Sequence, residues 1–142
     1  MALSAVYNMP MWGMVCLVIL VIAQWLVATV VKASQPGAVP GKIDENLSHD
    51  SFVFRAHRTY MNTLENLPAM LLAAFIAFLI GANPLWLGGL IWLYVAARVV
   101  HMALYYAIAT ERNPSPRSYF FMLGFLANLG LVVLCVTTLL ER

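Results

Sequence analysis

The sequence predicts an all-α integral membrane protein, a four-helix transmembrane bundle forming a single domain over residues 1–142. Three observations carry this expectation. Hydrophobic residues make up 63% of the chain and charged ones 10%, with a mean hydropathy of +0.84, whereas a soluble domain is about a quarter charged. The apolar residues gather into four runs, each long enough to cross a hydrocarbon core of about 30 Å. The polar residues collect in the stretches between them, leaving a 142-residue chain little room for a separate soluble domain.

The first span is expected over about residues 10–31, opening at Pro10, a favourable first helical residue, with Gln24 as its one strongly polar side chain. The run from Met9 is too long for a signal-peptide core and no small-residue cleavage site follows it, so it should remain as a helix. "KASQPGAVPGKIDENLSHDS" mixes charge with Pro and Gly and reads as a solvated loop. The second span, about 51–80, begins as an amphipathic helix and becomes fully apolar, with Pro68 expected to bend it. After the turn "GANP" comes the third span, about 85–109, where Gly88 and Gly89 permit close helix approach. The fourth, about 117–140, follows "TERNPSPRS".

The net charge of +2 comes with no Lys/Arg run or basic stripe, which excludes a nucleic-acid partner. Cys16 and Cys135 lie within apolar runs without metal-ligand spacing, so neither a metal site nor a disulfide framework is supported. Lys32, Lys42, Arg55, Arg58, Arg112 and Arg117 fall on one side of the bundle against Arg142 on the other, which predicts that this side is cytosolic.

Two polar stripes interrupt the apolar spans. Arg58, Asn62 and Glu65 follow an i, i+4, i+7 pattern on the second helix, and Tyr94, Arg98, His101 and Tyr105 share one face of the third. Counting from the turn, Glu65 is about 16 residues before Gly81 and Arg98 about 14 after Pro84, roughly 24 Å and 21 Å deep. The same count matches Asn62 with His101 and Arg58 with Tyr105. Ionisable groups inside a membrane are costly and mark a site by default. One reading is a structural clamp in which Glu65 and Arg98 neutralise each other; the other is a polar pocket open to the cytosol, to which the whole set of rungs contributes. His49 and His57 read as solvent-facing or interfacial. Trp86 reads as an interfacial anchor, and none of the tryptophans as a ligand contact.

A pocket with Arg and His, one Glu, and hydrogen-bonding Asn and Tyr suits a small zwitterion with carboxylates and an ammonium, beside apolar walls that admit a lipophilic molecule from the bilayer. "RTYMNTLENLP", "ARVVHMALYY" and "PSPRS" resemble, in order and spacing, the signatures of the membrane-associated proteins in eicosanoid and glutathione metabolism, the MAPEG family, which includes microsomal glutathione transferases. The likeness covers the second to fourth spans. Thr59-Tyr60 depart from the usual Ala-His after the helix Arg, and the last loop is longer than in the eicosanoid enzymes.

The resemblance implies a homotrimer binding glutathione as cosubstrate between neighbouring subunits near the cytosolic face. By motif, Arg58, Asn62, Glu65, Arg98, His101 and Tyr105 are similar to glutathione contacts, with Lys32 reaching a neighbour's glutathione carboxylate. Arg117 and Ser118 match the residues placed near the thiol. Ser115 as helix cap and Pro116 at the first position would put both in the first turn, where they can stabilise a thiolate; the other reading of Arg117 is an anchor to phospholipid headgroups. The activity implied is a membrane-bound glutathione transferase or peroxidase acting on lipophilic electrophiles or lipid hydroperoxides. The alternative is a non-catalytic, lipid-presenting protein of the same fold. The lack of an endoplasmic-reticulum retention signal points to a bacterial inner membrane.

Overall fold

The computed structural model describes residues 3–141; Arg142, which entered the charge count, lies outside them. The chain forms a short helix α1 (Leu3–Val6) and four long ones: α2 (Asn8–Ala33), α3 (Phe52–Leu79), α4 (Pro84–Ala107) and α5 (Pro116–Leu140). No strand occurs among the described residues. All four long helices have the length and hydropathy to cross a membrane. Their ends differ from the expected ones by about two residues at most, within ordinary helix fraying.

The ends are fixed by local chemistry. Ile80 caps α3 and Gly81 takes φ +68, which lets the Ala82 N–H reach back to the Ala77 carbonyl at 2.9 Å. Asn83 then accepts from the Leu85 and Trp86 amides to start α4, with Pro84 in its first turn. Tyr7 pins the start of α2 to this turn by donating to the Ala82 carbonyl at 2.8 Å. α3 continues through Pro68 as one helix.

α3 and α4 pack against each other and against both α2 and α5, and α4 is the most enclosed span. The core is built of small and medium side chains. Ala73, Ala74 and Ala77 of α3 meet Leu87, Ile91 and Val95 of α4 and Ala127 and Leu131 of α5 in one cluster. Without a hydrophobic drive between helices in lipid, such close approach is where attraction comes from. Gly88 serves it as expected, since a side chain there would meet Met9 and Pro10, whereas Gly89 faces open space and does not. Gly13 against Ile91 and Gly130 against Leu90 are further close approaches.

At 28 residues α3 is roughly 42 Å long, which exceeds a hydrocarbon core of about 30 Å. Its amphipathic first half therefore stands at the end of the bundle that also carries the two long loops. That end holds the polar residues.

Candidate functional site

At the loop end, α3, α4 and α5 splay around a cleft of about 350 Å³, within the range of small-molecule sites, roughly 300–1,000 Å³. Arg58 and Asn62 come from α3, His101 and Tyr105 from α4, and Arg117, Ser118 and Phe121 from the start of α5. His49 closes one side from the loop before α3, next to Phe54.

Tyr105 stands at the centre of this arrangement. The Arg117 guanidinium carbon lies 3.8 Å above its ring centroid, a close cation–π stack. Its hydroxyl lies 3.0 Å from His49 Nδ1. The imidazole of His49 lies edge-on to Phe54 with ring centroids 5.1 Å apart, and its Nε2 is 3.7 Å from the Glu111 carboxylate. Glu111 also accepts from the His49 backbone N–H at 3.2 Å, so the two long loops meet through this residue. Buried His101 packs edge-on to Tyr105, and its Nδ1 has no hydrogen-bond partner among the described residues.

Arg55 holds the rim together. It is buried, and its guanidinium donates to the carbonyls of His49 (2.6 Å), Asp50 (2.9 Å) and Tyr106 (3.3 Å). One side chain thus ties the loop, the start of α3 and the end of α4. Opposite, buried Ser115 begins α5: its N–H donates to the Ser118 hydroxyl at 3.2 Å, and the two hydroxyl oxygens are 3.0 Å apart. This reciprocal cap sets the rotation of the first turn, and hence the direction in which Arg117 leaves it. Pro116 has no N–H and the Ser118 N–H donates to the Ser115 carbonyl at 2.9 Å, so the partial positive charge at this edge of the cleft comes from the N-terminal end of the α5 dipole.

The residues singled out from the sequence do not all converge. Arg58, Asn62, His101, Tyr105, Arg117 and Ser118 line one cleft. Glu65 and Arg98 do not face each other. Glu65 is exposed and lies 3.7 Å from Arg58 on its own helix. Arg98, 1% exposed, reaches Asn62 Oδ1 and Thr63 Oγ1, both at 2.8 Å, beneath the cleft. The reason is rotation about the helix axis. At about 100° per residue, Asn62 and Thr63 flank the direction from which Arg98 approaches, while Glu65 points roughly 110° away from it.

Lys32 also stands apart, at the end of α2, where it lines a separate cleft with Trp25, His57, Tyr60 and the loop residues Val39 and Pro40. His49 is corrected in the other direction. Read as solvent-facing or interfacial, it is half-buried and forms one of the cleft walls, a role that no periodicity in its loop could have shown. Ser115, by contrast, is legible as a cap followed by proline, although its pairing with Ser118 is not.

The chemistry of the donor set suits a small anionic ligand with hydrogen-bonding groups. Two guanidinium groups suit carboxylates, Asn62 and His101 supply neutral hydrogen bonds, and the unpartnered His101 Nδ1 has unused capacity. A family model described as MAPEG family matches residues 9–137 of the 142-residue chain. No curated protein and no solved structure matches it.

Proposed function

Because the chain belongs to the MAPEG family, a membrane family with glutathione transferases and peroxidases as well as non-catalytic members, we propose that it is a membrane-bound glutathione transferase or peroxidase. The observation that carries the reading is the stack of Arg117 on Tyr105 at the mouth of a cleft shared with Arg58, Asn62 and His101. Bound glutathione would supply the thiol whose anion attacks a lipophilic electrophile or hydroperoxide.

The residues divide the work. Arg58 takes a carboxylate, with Asn62 held at a fixed rotamer by its bond to Arg98. His101 and Tyr105 line the inner wall. Arg117 and the positive end of the α5 dipole stabilise negative charge on sulfur, since a free thiol of pKa about 8.5 is only a few per cent ionised at neutral pH. Ser118, already engaged with Ser115, is a weaker donor than Arg117. The site faces the cytosol in this reading, and the second substrate comes sideways from the bilayer.

A homotrimer belongs to the same proposal. Arg58 and Glu65 form an ion pair that is about half exposed in one protomer, 42% and 51% by side chain, on the amphipathic half of a helix that has the length and hydropathy of a membrane span. Charge on a lipid face is expensive, so a neighbouring subunit covering this pair resolves the cost. Lys32, away from the cleft in its own protomer, then serves the neighbour's glutathione, and Glu65 its ammonium group.

Purified protein given glutathione and a chlorinated nitrobenzene should form the thioether above the uncatalysed rate. A folded, glutathione-binding protein with no turnover of either this electrophile or a lipid hydroperoxide would favour the non-catalytic, lipid-presenting role.

A further inference from the structure

Ionising a bound thiol releases a proton, and the groups that stabilise the anion cannot take it. Arg58 and Arg117, the cleft's guanidinium groups, are already protonated, and Arg55 behind the rim is too. Ser118 is committed to the cap, and Asn62 is not basic. His101 is buried, with its ring against Tyr105 and with Arg98 and Arg117 among its charged surroundings, so a second positive charge there would have no nearby carboxylate. His49 has one.

We propose that His49 is the proton acceptor of this cleft, relaying the thiol proton from Tyr105 through Glu111 to solvent. This rests on the glutathione reading of the site. The distances describe a continuous line: Tyr105 Oη to His49 Nδ1 is 3.0 Å, and His49 Nε2 to Glu111 Oε2 is 3.7 Å, a gap that a small side-chain movement closes. Glu111 is 68% exposed, which places the far end of the line in water.

The charged groups around the imidazole are the Glu111 carboxylate at its Nε2 and Arg58 and Arg117, which line the same cleft; Arg55 of α3 binds the His49 carbonyl, and Asp50 follows it in the chain. Arg117 on the face of Tyr105 favours negative charge developing on the phenol as its proton departs.

The step balances without a redox partner. The thiol S–H bond breaks, and its electron pair stays on sulfur. The proton passes to the Tyr105 oxygen as that hydroxyl gives its own proton to His49 Nδ1. The imidazolium so formed sits beside Glu111 and returns to neutral by giving its Nε2 proton to the carboxylate or to water. The product is one thiolate and one proton in solution.

The proton path sets the rate of ionisation, whereas Arg117 sets its extent, and this separates the proposal from a structural role. Glutathione is mixed with His49→Gln and parent protein, without electrophile, in a stopped-flow instrument that follows thiolate absorbance. Gln keeps a hydrogen bond to Tyr105 but is not a base. The expected result is thiolate formation at least about 100-fold slower, the lower side of what general base catalysis contributes, with the parent's final amplitude. S-methylglutathione, which has no thiol proton, should bind both proteins equally. Added imidazole should speed His49→Ala, and Glu111→Gln should slow the parent rate less than His49→Gln does.

Equal rates in parent and His49→Gln would overturn the inference, as would a slowing matched by weaker S-methylglutathione binding. A parent that forms no thiolate at all would instead remove the glutathione reading, and this inference with it.

Discussion

Arg98 donates a 2.8 Å hydrogen bond to the Asn62 side-chain carbonyl and leaves Glu65 to Arg58. A buried guanidinium is thus held by neutral acceptors, Asn62 and Thr63, instead of a carboxylate. A double-mutant cycle on the detergent-solubilised protein should give a coupling of about 1–2 kcal/mol between Arg98 and Asn62. Arg98 and Glu65 should couple by less than about 0.5 kcal/mol. The reverse ranking would show that the two helices are rotated differently.

Glu65→Gln should leave helix content and unfolding temperature close to those of the parent, because the pair it breaks is half exposed in one protomer. Its effect should fall on glutathione affinity and on oligomer stability, read by calorimetry and by sedimentation in detergent. A mutant that unfolds as a monomer but binds normally would contradict this.

Arg117→Ala should lower conjugation by about 100-fold or more per folded protein and weaken the thiolate absorbance of bound glutathione. Arg117→Lys should fall between, because an ammonium keeps the charge but lacks a planar face to lie on Tyr105. Were Arg117 only a headgroup anchor, both variants would turn over like the parent once reconstituted in lipid.

Ser115→Ala removes one half of the reciprocal cap on α5 and should cost about 1 kcal/mol. Activity should drop with it, since Arg117 and Ser118 are two and three residues further on, in the turn that the cap holds. Asp at this position restores a cap; activity returning with stability would tie the loss to geometry.

Arg55→Met should preserve the bundle but release its rim, because three carbonyls lose their shared donor. Limited proteolysis should then cut the loop before α3 much faster than in the parent. Unchanged cleavage would mean that Glu111 alone holds that loop through His49.

Hydropathy made the four spans legible, and cap and turn residues placed their ends to within about two residues. Counting residues from the Gly81–Pro84 turn also paired Asn62 with His101 and Arg58 with Tyr105 on two successive rungs, and these four do line one cleft. Counting measures depth and says nothing of rotation. Asn62 and Glu65 differ by about 60° around α3, and that difference decides which of them meets Arg98. A long side chain adds to the error, since the Arg98 guanidinium reaches along the bundle beyond its own Cα. His49 was illegible for another reason: its position depends on Arg55 and Glu111, contacts six and 62 residues away in a segment without periodicity.

The hydrogen bonds that residues 34–47 make within the segment between α2 and α3 are all local, running over a few positions along the chain. From His49 onwards the same segment is fastened to distant elements. One connection therefore holds a slack stretch and a taut one. A fluorophore or affinity tag spliced in near Gly37 to Gly41 should leave the His49 side of the cleft undisturbed, while the same insertion ten residues later would pull on that wall.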